Sequence, residues 1–391
     1  MIMEKKPRIL LCVCGGIAAY KAIDLASQLY KAGYEIRTIL TQAAHEFVSP
    51  LNFAAITHSS VHSSLWEDCD PIPHISLADW ADLIVVAPAT ANSLAKAAHG
   101  LGDDLLSSVL LAHTKPVLWV PAMNVNMYSS PATQANLSIL RERGNHILEP
   151  ATGMLACAYE GKGKYPPNLE ILYAIRSYLH YGKDLIGKKV LVTAGASVEQ
   201  IDPMRMITNR SSGKMGIALA RALSLRGAEV SLIYASVTEE IPYYLFEAVQ
   251  ALSVDEMYAQ VMSRSAKMDW IIKCAAVSDY KPKQMYQDKI KKGGSLSLDL
   301  VSTPDILAEL GKNKGPQQKL IGFAAETQDL AENALRKLKS KQLDLIIANH
   351  LSNAGKATNA IHLISDKAEP FLIEGDKFEL AHQIIDRILK L

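Results

Sequence analysis

Short, nearly continuous apolar runs alternate along this chain with longer stretches whose apolar side chains recur every three or four positions. Near the start, RILLCV is followed by AYKAIDLASQLYKAG; after Gly187, KKVLVTAG is followed by MGIALARALSLRG. In the second stretch Met215, Leu219 and Leu223 fall at every fourth residue, with Ala218 and Ala222 beside them, which predicts one apolar helix face. Gly33 and Gly227 stand where a left-handed residue closes a helix. Both stretches therefore predict strand–turn–helix–strand. More buried strands are predicted in DLIVVAPAT, KPVLWVPAMN, DWIIKCAAVSDY, KLIGFAAET and LDLIIANH, each an apolar run suited to a parallel strand covered on both faces.

The fold class expected is α/β, two Rossmann-like parallel-sheet domains in series. Glycine and charge interrupt the pattern in SYLHYGKDLIGKK, which places the domains at 1–183 and 184–391. A chain of 391 residues, 49% apolar with net charge +1, has an ordinary globular balance and no general nucleic-acid-binding character. No run approaches the roughly 20 apolar residues of a membrane helix, so no membrane partner is expected. The opening MIMEKKPRILLCVCGG superficially resembles a signal peptide but reads as a first strand. Five scattered cysteines, with no CxxC pair, argue against a disulfide framework or a structural zinc site and for a reduced, cytoplasmic protein.

The polar residues of interest cluster after the strands, in APAT, PAMN, CAAVSDY and GFAAET, where open α/β sheets hold ligands. Gly15 and Gly16 lie between the first strand and its helix. The second strand ends at Thr41, where a dinucleotide fold would carry an acid for the ribose; this favours FMN over NAD. In NRSSGKMG (Asn209–Gly216) the Gly213-Lys214 pair is followed by Met215, and Thr208 takes the place of the first Walker glycine. The segment is thus no P-loop, yet a helix mouth there suits an anion, with Ser211 and Ser212 to cap or donate. Lys289, Lys291 and Lys292, the i,i+4 pair Lys337 and Lys341, and Asp279 at a strand end suit a nucleoside triphosphate with Mg²⁺. His74, Asn124 and Cys157 stand in polar or strand-end settings where each could be merely structural.

Taken in order, DPMRMITNRSSGKMG, CAAVSDYKP, KIKK, TPDIL and GFAAET resemble the phosphopantothenate–cysteine ligase domain that bacteria fuse behind a phosphopantothenoylcysteine decarboxylase. The resemblance covers essentially the whole chain and gives the first domain a flavodoxin-like flavoprotein decarboxylase fold. It implies that CTP activates 4′-phosphopantothenate as an acyl-cytidylate, which the amine of cysteine attacks. Asn209 would hold the acyl-cytidylate and Lys289 the phosphates. Asp279 (also toward Mg²⁺), Thr303, Pro304, Asp305, Ile306, Phe323, Lys337 and Lys341 would form the CTP site, with Arg205, Ala275 and Ala276 against the substrates.

In the first domain the resemblance implies FMN held by Gly15, Gly16, Ile17, Thr41, Pro88, Ala89, Thr90 and Ser107. Oxidation of the substrate's CH₂–SH to a thioaldehyde makes an electron sink for loss of CO₂, and the electrons return afterwards. His74 would assist deprotonation, Asn124 would bind the departing carboxylate and Cys157 would donate the last proton. The resemblance further implies a homo-oligomer, a dodecamer of trimeric decarboxylase and dimeric ligase contacts. The chain departs from the family pattern at GASVE (Gly195–Glu199, usually GPTxE), at His350 in ANH, at Ala158 in ACA, at Lys164 in place of arginine and at Cys14. One alternative is a non-catalytic flavoprotein regulatory subunit, although such paralogues lose the His, Asn or Cys kept here. Another is an NAD-dependent oxidoreductase.

Overall fold

Arg8–Val13 forms the first strand because its apolar residues fill the centre of a sheet, where Ile9 to Val13 are wholly buried. The computed structural model describes residues 6–66, 72–156, 158–293, 296–326, 330–350, 358–366 and 368–391. The chain divides into two compact units, Met1–His180 and Tyr181–Leu391.

In the first unit, β1 (Arg8–Val13), β2 (Glu35–Leu40), β3 (Val61–His62), β4 (Leu83–Ala89), β5 (Leu118–Pro121) and β6 (His146–Ile147) form a six-stranded sheet. Its order is β3-β2-β1-β4-β5-β6 and every pairing is parallel. The helices are α1 (Ala19–Lys31), α2 (Pro50–Thr57), α3 (Pro73–Trp80), α4 (Ala91–His99), α5 (Leu105–Ala112), α6 (Val125–Ser129), α7 (Pro131–Glu142) and α8 (Asn168–His180). Helix α1 buries Ala19, Ala22, Leu25, Ala26 and Leu29, a stripe at helical spacing, and Gly33 follows it at φ +91°. A hairpin of β7 (Ala151–Met154) and β8 (Glu160–Lys164) stands apart from the sheet.

The second unit carries β9 (Lys189–Ala194), β10 (Val198–Gln200), β11 (Met206–Thr208), β12 (Glu229–Tyr234), β13 (Glu247–Gln250), β14 (Trp270–Lys273), β15 (Tyr280–Pro282), β16 (Leu300–Ser302), β17 (Lys319–Glu326), β18 (Leu345–His350), β19 (Thr358–Ser365) and β20 (Ala368–Asp376). Its helices are α9 (Lys214–Leu225), α10 (Val254–Ser265), α11 (Ile306–Lys312), α12 (Leu330–Ser340) and α13 (Lys377–Leu389). Eight strands form the main sheet in the order β13-β12-β9-β14-β17-β18-β19-β20. It is parallel through β18 and then antiparallel, so the expected parallel sheet gains a closing hairpin. The segment LSNAGKATNAIHLI, which reads as a loop, contains β19 from Thr358 onward.

Helix α9 buries nearly every position from Gly216 to Leu225, Arg221 included, because it lies between β9 and α13. The single apolar face read from its periodicity is therefore only part of its buried surface. The start of this unit is pinned by Arg226, whose guanidinium is almost wholly buried. It donates to Asp184 at 2.8 Å from Nε and to Asp386 at 2.7 Å from Nη1, and lies 4.8 Å from the Tyr181 ring centre. A buried guanidinium is tolerable only with such pairing.

Candidate functional site

In the first unit a cavity of about 630 Å³ opens where β1, β4 and β5 end. Gly15, Gly16, Ile17, Pro88, Thr90 and Asn124 line it, so the structure brings together six of the residues predicted for flavin and substrate. Gly15 passes so close to Ala43 that a Cβ there would collide with its backbone, whereas a Cβ at Gly16 would meet nothing within 4 Å. Backbone can thus approach a ligand directly at this turn. No side chain caps α1, which begins just beyond it. Thr41 does not line the cavity. It follows β2, beside the end of β1, and its N–H donates to Val13 O at 3.1 Å. Its Oγ1 is buried with no partner among the described residues. Ala89 is fully buried, its carbonyl accepting from the Ala122 N–H at 3.1 Å, and it is not among the residues that line the cavity.

Two predicted residues stand elsewhere. The Ser107 hydroxyl belongs to the capping box of α5, donating to Asp104 Oδ1 at 2.8 Å. His74, in the first turn of α3, is half-buried, and its Nδ1 has no partner among the described residues. Neither lines the cavity of its own chain. Cys157 lies outside the described residues; Leu155 and Ala156 before it line the cavity. Ala158 after it has φ +61°, a conformation that suits glycine.

The base of the β7–β8 hairpin is held by the Met123 N–H on Gly163 O (3.0 Å) and by Lys162 on Glu149 (2.6 Å). Glu149 also takes the Tyr128 hydroxyl at 2.5 Å and Arg141. Although burial pushes Glu149 up, these donors keep its carboxyl below the usual range. Asn124 caps α6 by accepting the Asn126 N–H at 2.8 Å on Oδ1, which assigns its NH₂ as the donating end. Cys14, beside the glycine pair, accepts the Ser93 hydroxyl at 3.1 Å, and burial raises its thiol to about 11.

Sequence reasoning missed Lys21. It lines the cavity with Lys164 and lies 5.5 Å from the Tyr165 ring centre. Burial, and then the Lys164 charge, lower its pKa. Its place in the first turn of the helix after the glycine pair was the available signal. Its pairing with Lys164 depends on the fold of the hairpin.

In the second unit the GASVE turn is sewn to the end of β14. Ser197 N–H donates to Ala276 O (3.1 Å), Ala276 N–H to Gly195 O (2.8 Å) and Ser278 N–H to Ser197 Oγ (2.9 Å). The Ala275 N–H donates to Thr193 Oγ1 at 3.1 Å. Asn209 Nδ2 donates to Ala276 O at 3.1 Å, which joins two predicted substrate residues. Arg205 donates to buried Asp202 at 3.0 Å and to Ile290 O at 3.2 Å, so the loop carrying exposed Lys289 is drawn to Arg205. Although burial pushes Asp202 up, the N–H groups of Met204, Ile290 and Arg205 hold its carboxyl below the usual range.

Thr303 N–H donates to Asp279 O at 3.0 Å and its hydroxyl to Ser278 O at 2.6 Å, which brings the Thr303–Ile306 turn to exposed Asp279. Pro304 is exposed, whereas Ile306 belongs to the core and offers only backbone. Asp305 caps α11 and pairs with Lys341 at 2.8 Å. Phe323 is half-buried on β17 and Lys337 half-buried on α12.

Two expectations need correction. Ser211 and Ser212 do not cap α9: Gly213, at φ +73°, is the N-cap, and no side chain caps it. Lys341 is not on a helix face with Lys337. It stands in the turn just past α12, its N–H donating to Lys337 O at 3.0 Å. Sequence reasoning also missed Lys273, which ends the otherwise apolar β14. The departure His350 ends β18, and its side chain is not among those described. Among the described residues no group of three or more His, Cys, Asp or Glu could hold a metal. No described helix is long and apolar enough to cross a membrane.

Two sheets in one chain, the first all parallel and the second parallel through β18, with a ligand-sized cavity at the strand ends of the first, define a two-domain α/β protein of ligand-binding type. Residues 2–180 match the family model described as Flavoprotein, and residues 185–391 match that of the DNA/pantothenate metabolism flavoprotein C-terminal domain. The coenzyme A biosynthesis bifunctional protein CoaBC of Bacillus subtilis (strain 168) is 46% identical over 92% of this chain and 89% of its own length. That of Borreliella burgdorferi is 38% identical over 98% and 99%. A solved structure, the C-terminal domain of a coenzyme A biosynthesis bifunctional protein CoaBC, is 36% identical with a TM-score of 0.46, covering 53% of this chain and 96% of that one.

The chain belongs to the CoaBC family of bifunctional coenzyme A biosynthesis proteins. It is accordingly an enzyme with a flavoprotein decarboxylase domain ahead of a ligase domain.

Proposed function

We propose that residues 184–391 join cysteine to 4′-phosphopantothenate with CTP, and that residues 1–183 decarboxylate the product to 4′-phosphopantetheine with bound FMN. The observation that carries the reading is the first cavity: an apolar slot floored by the backbone of Gly15 and Gly16, beside an uncapped helix; Thr41, outside its lining, keeps a buried hydroxyl with no partner among the described residues. These features fit a flat ring bearing one phosphate. Gly15, Gly16, Ile17, Thr41, Pro88, Ala89 and Thr90 would hold it. FMN, when bound, supplies the two-electron oxidation and its return. The Asn124 amide binds the departing carboxylate, His74 takes a proton and Cys157 gives one to carbon.

In the ligase, CTP converts an unreactive carboxylate into an acyl phosphate as pyrophosphate leaves. The amine of cysteine then displaces CMP. Asn209 orients the acyl-cytidylate, Lys289 and Lys341 meet phosphate charge, and Asp279 would be one ligand of the Mg²⁺ carried in by CTP, whose other ligands would be phosphate oxygens and water.

His74 and Ser107 face no ligand of their own chain in this reading and serve a neighbouring copy. Homo-oligomer contacts would cover exposed apolar side chains such as Phe47, Leu51 and Trp66 in the first unit and Met204, Met206 and Phe246 in the second; the order proposed, a dodecamer, rests on the family resemblance alone. The protein works in the cytoplasm, on small molecules. Separating the two reactions tests the assignment. Cys157→Ser should still release CO₂ but yield an oxidised thiol product, and Asn209→Asp should abolish pyrophosphate release. Normal 4′-phosphopantetheine from the first, or full ligase rate from the second, would remove that residue from its role.

A further inference from the structure

We propose that Lys273 is a nucleotide-binding residue of the ligase, its ammonium meeting the triphosphate of CTP at the carboxyl end of β14. This deepens the ligase reading above and rests on it. Strand β14 lies between β9 and β17, while β12 lies on the other side of β9. The order of the sheet therefore reverses at β9, and ligands of open parallel sheets sit beyond the strand ends at such a reversal. Lys273 is the last residue of β14, in register with Thr193 on β9 and Gly322 on β17. Phe323 follows Gly322, so one residue of strand separates the lysine's partner from an aromatic ring already assigned to the nucleotide.

An ammonium has three N–H donors and no acceptor. Lys273 is half-buried, and among the described residues its Nζ makes one hydrogen bond, to Ala275 O at 3.3 Å, and no ion pair. The nearby carboxylate of Asp305 is already engaged by Lys341 at 2.8 Å. The Lys341–Asp305 pair and exposed Asp279 thus lie within electrostatic reach of Lys273. Burial, and then the Lys341 charge, lower the Lys273 pKa to about 8, with Asp305, Cys274 and Asp279 acting in the opposite direction. A cation partly withdrawn from water with unused donors is costly unless an anion completes it. A polyphosphate supplies acceptors and charge for both lysines at once.

The test uses the full-length, FMN-loaded protein and measures pyrophosphate release while CTP, 4′-phosphopantothenate and cysteine are varied separately. Lys273→Met keeps the apolar stem and removes the charge. It should lower kcat/KM for CTP on the order of 10- to 100-fold, the loss of a charge-assisted contact. The KM values for the other two substrates should stay unchanged, and Lys273→Arg should recover most of the loss.

In the wild type, kcat/KM for CTP should fall as pH rises through about 8, and the Arg variant should not follow, since guanidinium does not titrate there. Wild-type CTP kinetics in Lys273→Met, or an effect confined to 4′-phosphopantothenate, would overturn the assignment. If Lys273→Met does not fold, the paired pH profiles decide. Wild-type protein that releases no pyrophosphate from CTP sinks the ligase reading itself, and this proposal with it.

Discussion

Replacing Gly216 by alanine tests how the fold carries the ligase loop to its site. Gly216 lies in the first turn of α9, and a Cβ added there would stand 2.6 Å from Ala194 Cβ, 3.0 Å from Ala194 Cα and 3.1 Å from Thr193 O. Its φ is ordinary, so alanine should favour the helix by about 1 kcal/mol. Carbon contacts, however, prefer about 3.5–4.0 Å. The obstacle is the backbone of the central strand β9, which cannot swing aside as a flexible side chain could. Overpacking of this kind costs about 1–3 kcal/mol, so the net effect should be destabilising by roughly 0–2 kcal/mol.

The functional effect should be larger. If α9 backs away from β9, the Asn209–Gly213 segment moves with it and Asn209 leaves its seat on Ala276 O, 3.1 Å away. A misplacement of about 1 Å can cost on the order of 100-fold in rate. The assay is pyrophosphate release by the full chain, with CO₂ release from supplied 4′-phosphopantothenoylcysteine as an internal control in the other domain. We expect the first to fall at least tenfold and the second to hold. Equal or greater stability with an unchanged ligase rate would refute the claim that this helix–strand contact positions the loop.

Other expectations can be checked in the same protein. Thr41→Val should weaken FMN binding by roughly tenfold, the loss of one hydrogen bond to a charged group, read by fluorescence titration of the apoprotein; unchanged affinity would take Thr41 out of the site. Ala158→Gly should relieve about 1 kcal/mol of left-handed strain and slow hydrogen exchange of the Leu155 amide, which donates to Tyr159 O at 2.8 Å; unchanged or faster exchange would contradict this. Lys273 binds its proton less tightly folded than unfolded, so it opposes folding below pH 8 and stops doing so as pH rises from about 8 toward 10.5. Without nucleotide, Lys273→Met should therefore be the more stable protein at pH 7, by up to about 3 kcal/mol, with the difference shrinking across that window; a constant difference in urea melts would exclude the linkage.

Periodicity and strand-end chemistry made much of the fold legible. Helix α9, the glycines that end α1 and α9, and the parallel strands all follow from short-range patterns that packing does not override. The β19–β20 hairpin was not legible, because TNAIHLIS mixes polar and apolar residues as a surface loop does. Ser107 shows where sequence runs out: a serine three residues after Asp104 can bind a ligand or close a capping box, and only the helix start at Leu105 decides. Ser211 and Ser212 are the converse, cap-forming residues left out of the cap because Gly213 turns left-handed before the helix. Lys21 and Lys273 gain meaning only through distant chain, the β7–β8 hairpin in one case and the Asp305–Lys341 pair in the other. For Lys21 the one local hint was its place in the first turn after the glycine pair; for Lys273 there was none.

The central claim is that one chain carries both reactions on two separate sheets. Its most direct test is product balance. Purified, FMN-loaded protein is given 4′-phosphopantothenate, cysteine and CTP, and CMP, CO₂ and 4′-phosphopantetheine are counted together. The account predicts that the three form in equal amounts and that all vanish without CTP. CO₂ formed without CTP, or CMP accumulating with no 4′-phosphopantetheine from the intact protein, would contradict it.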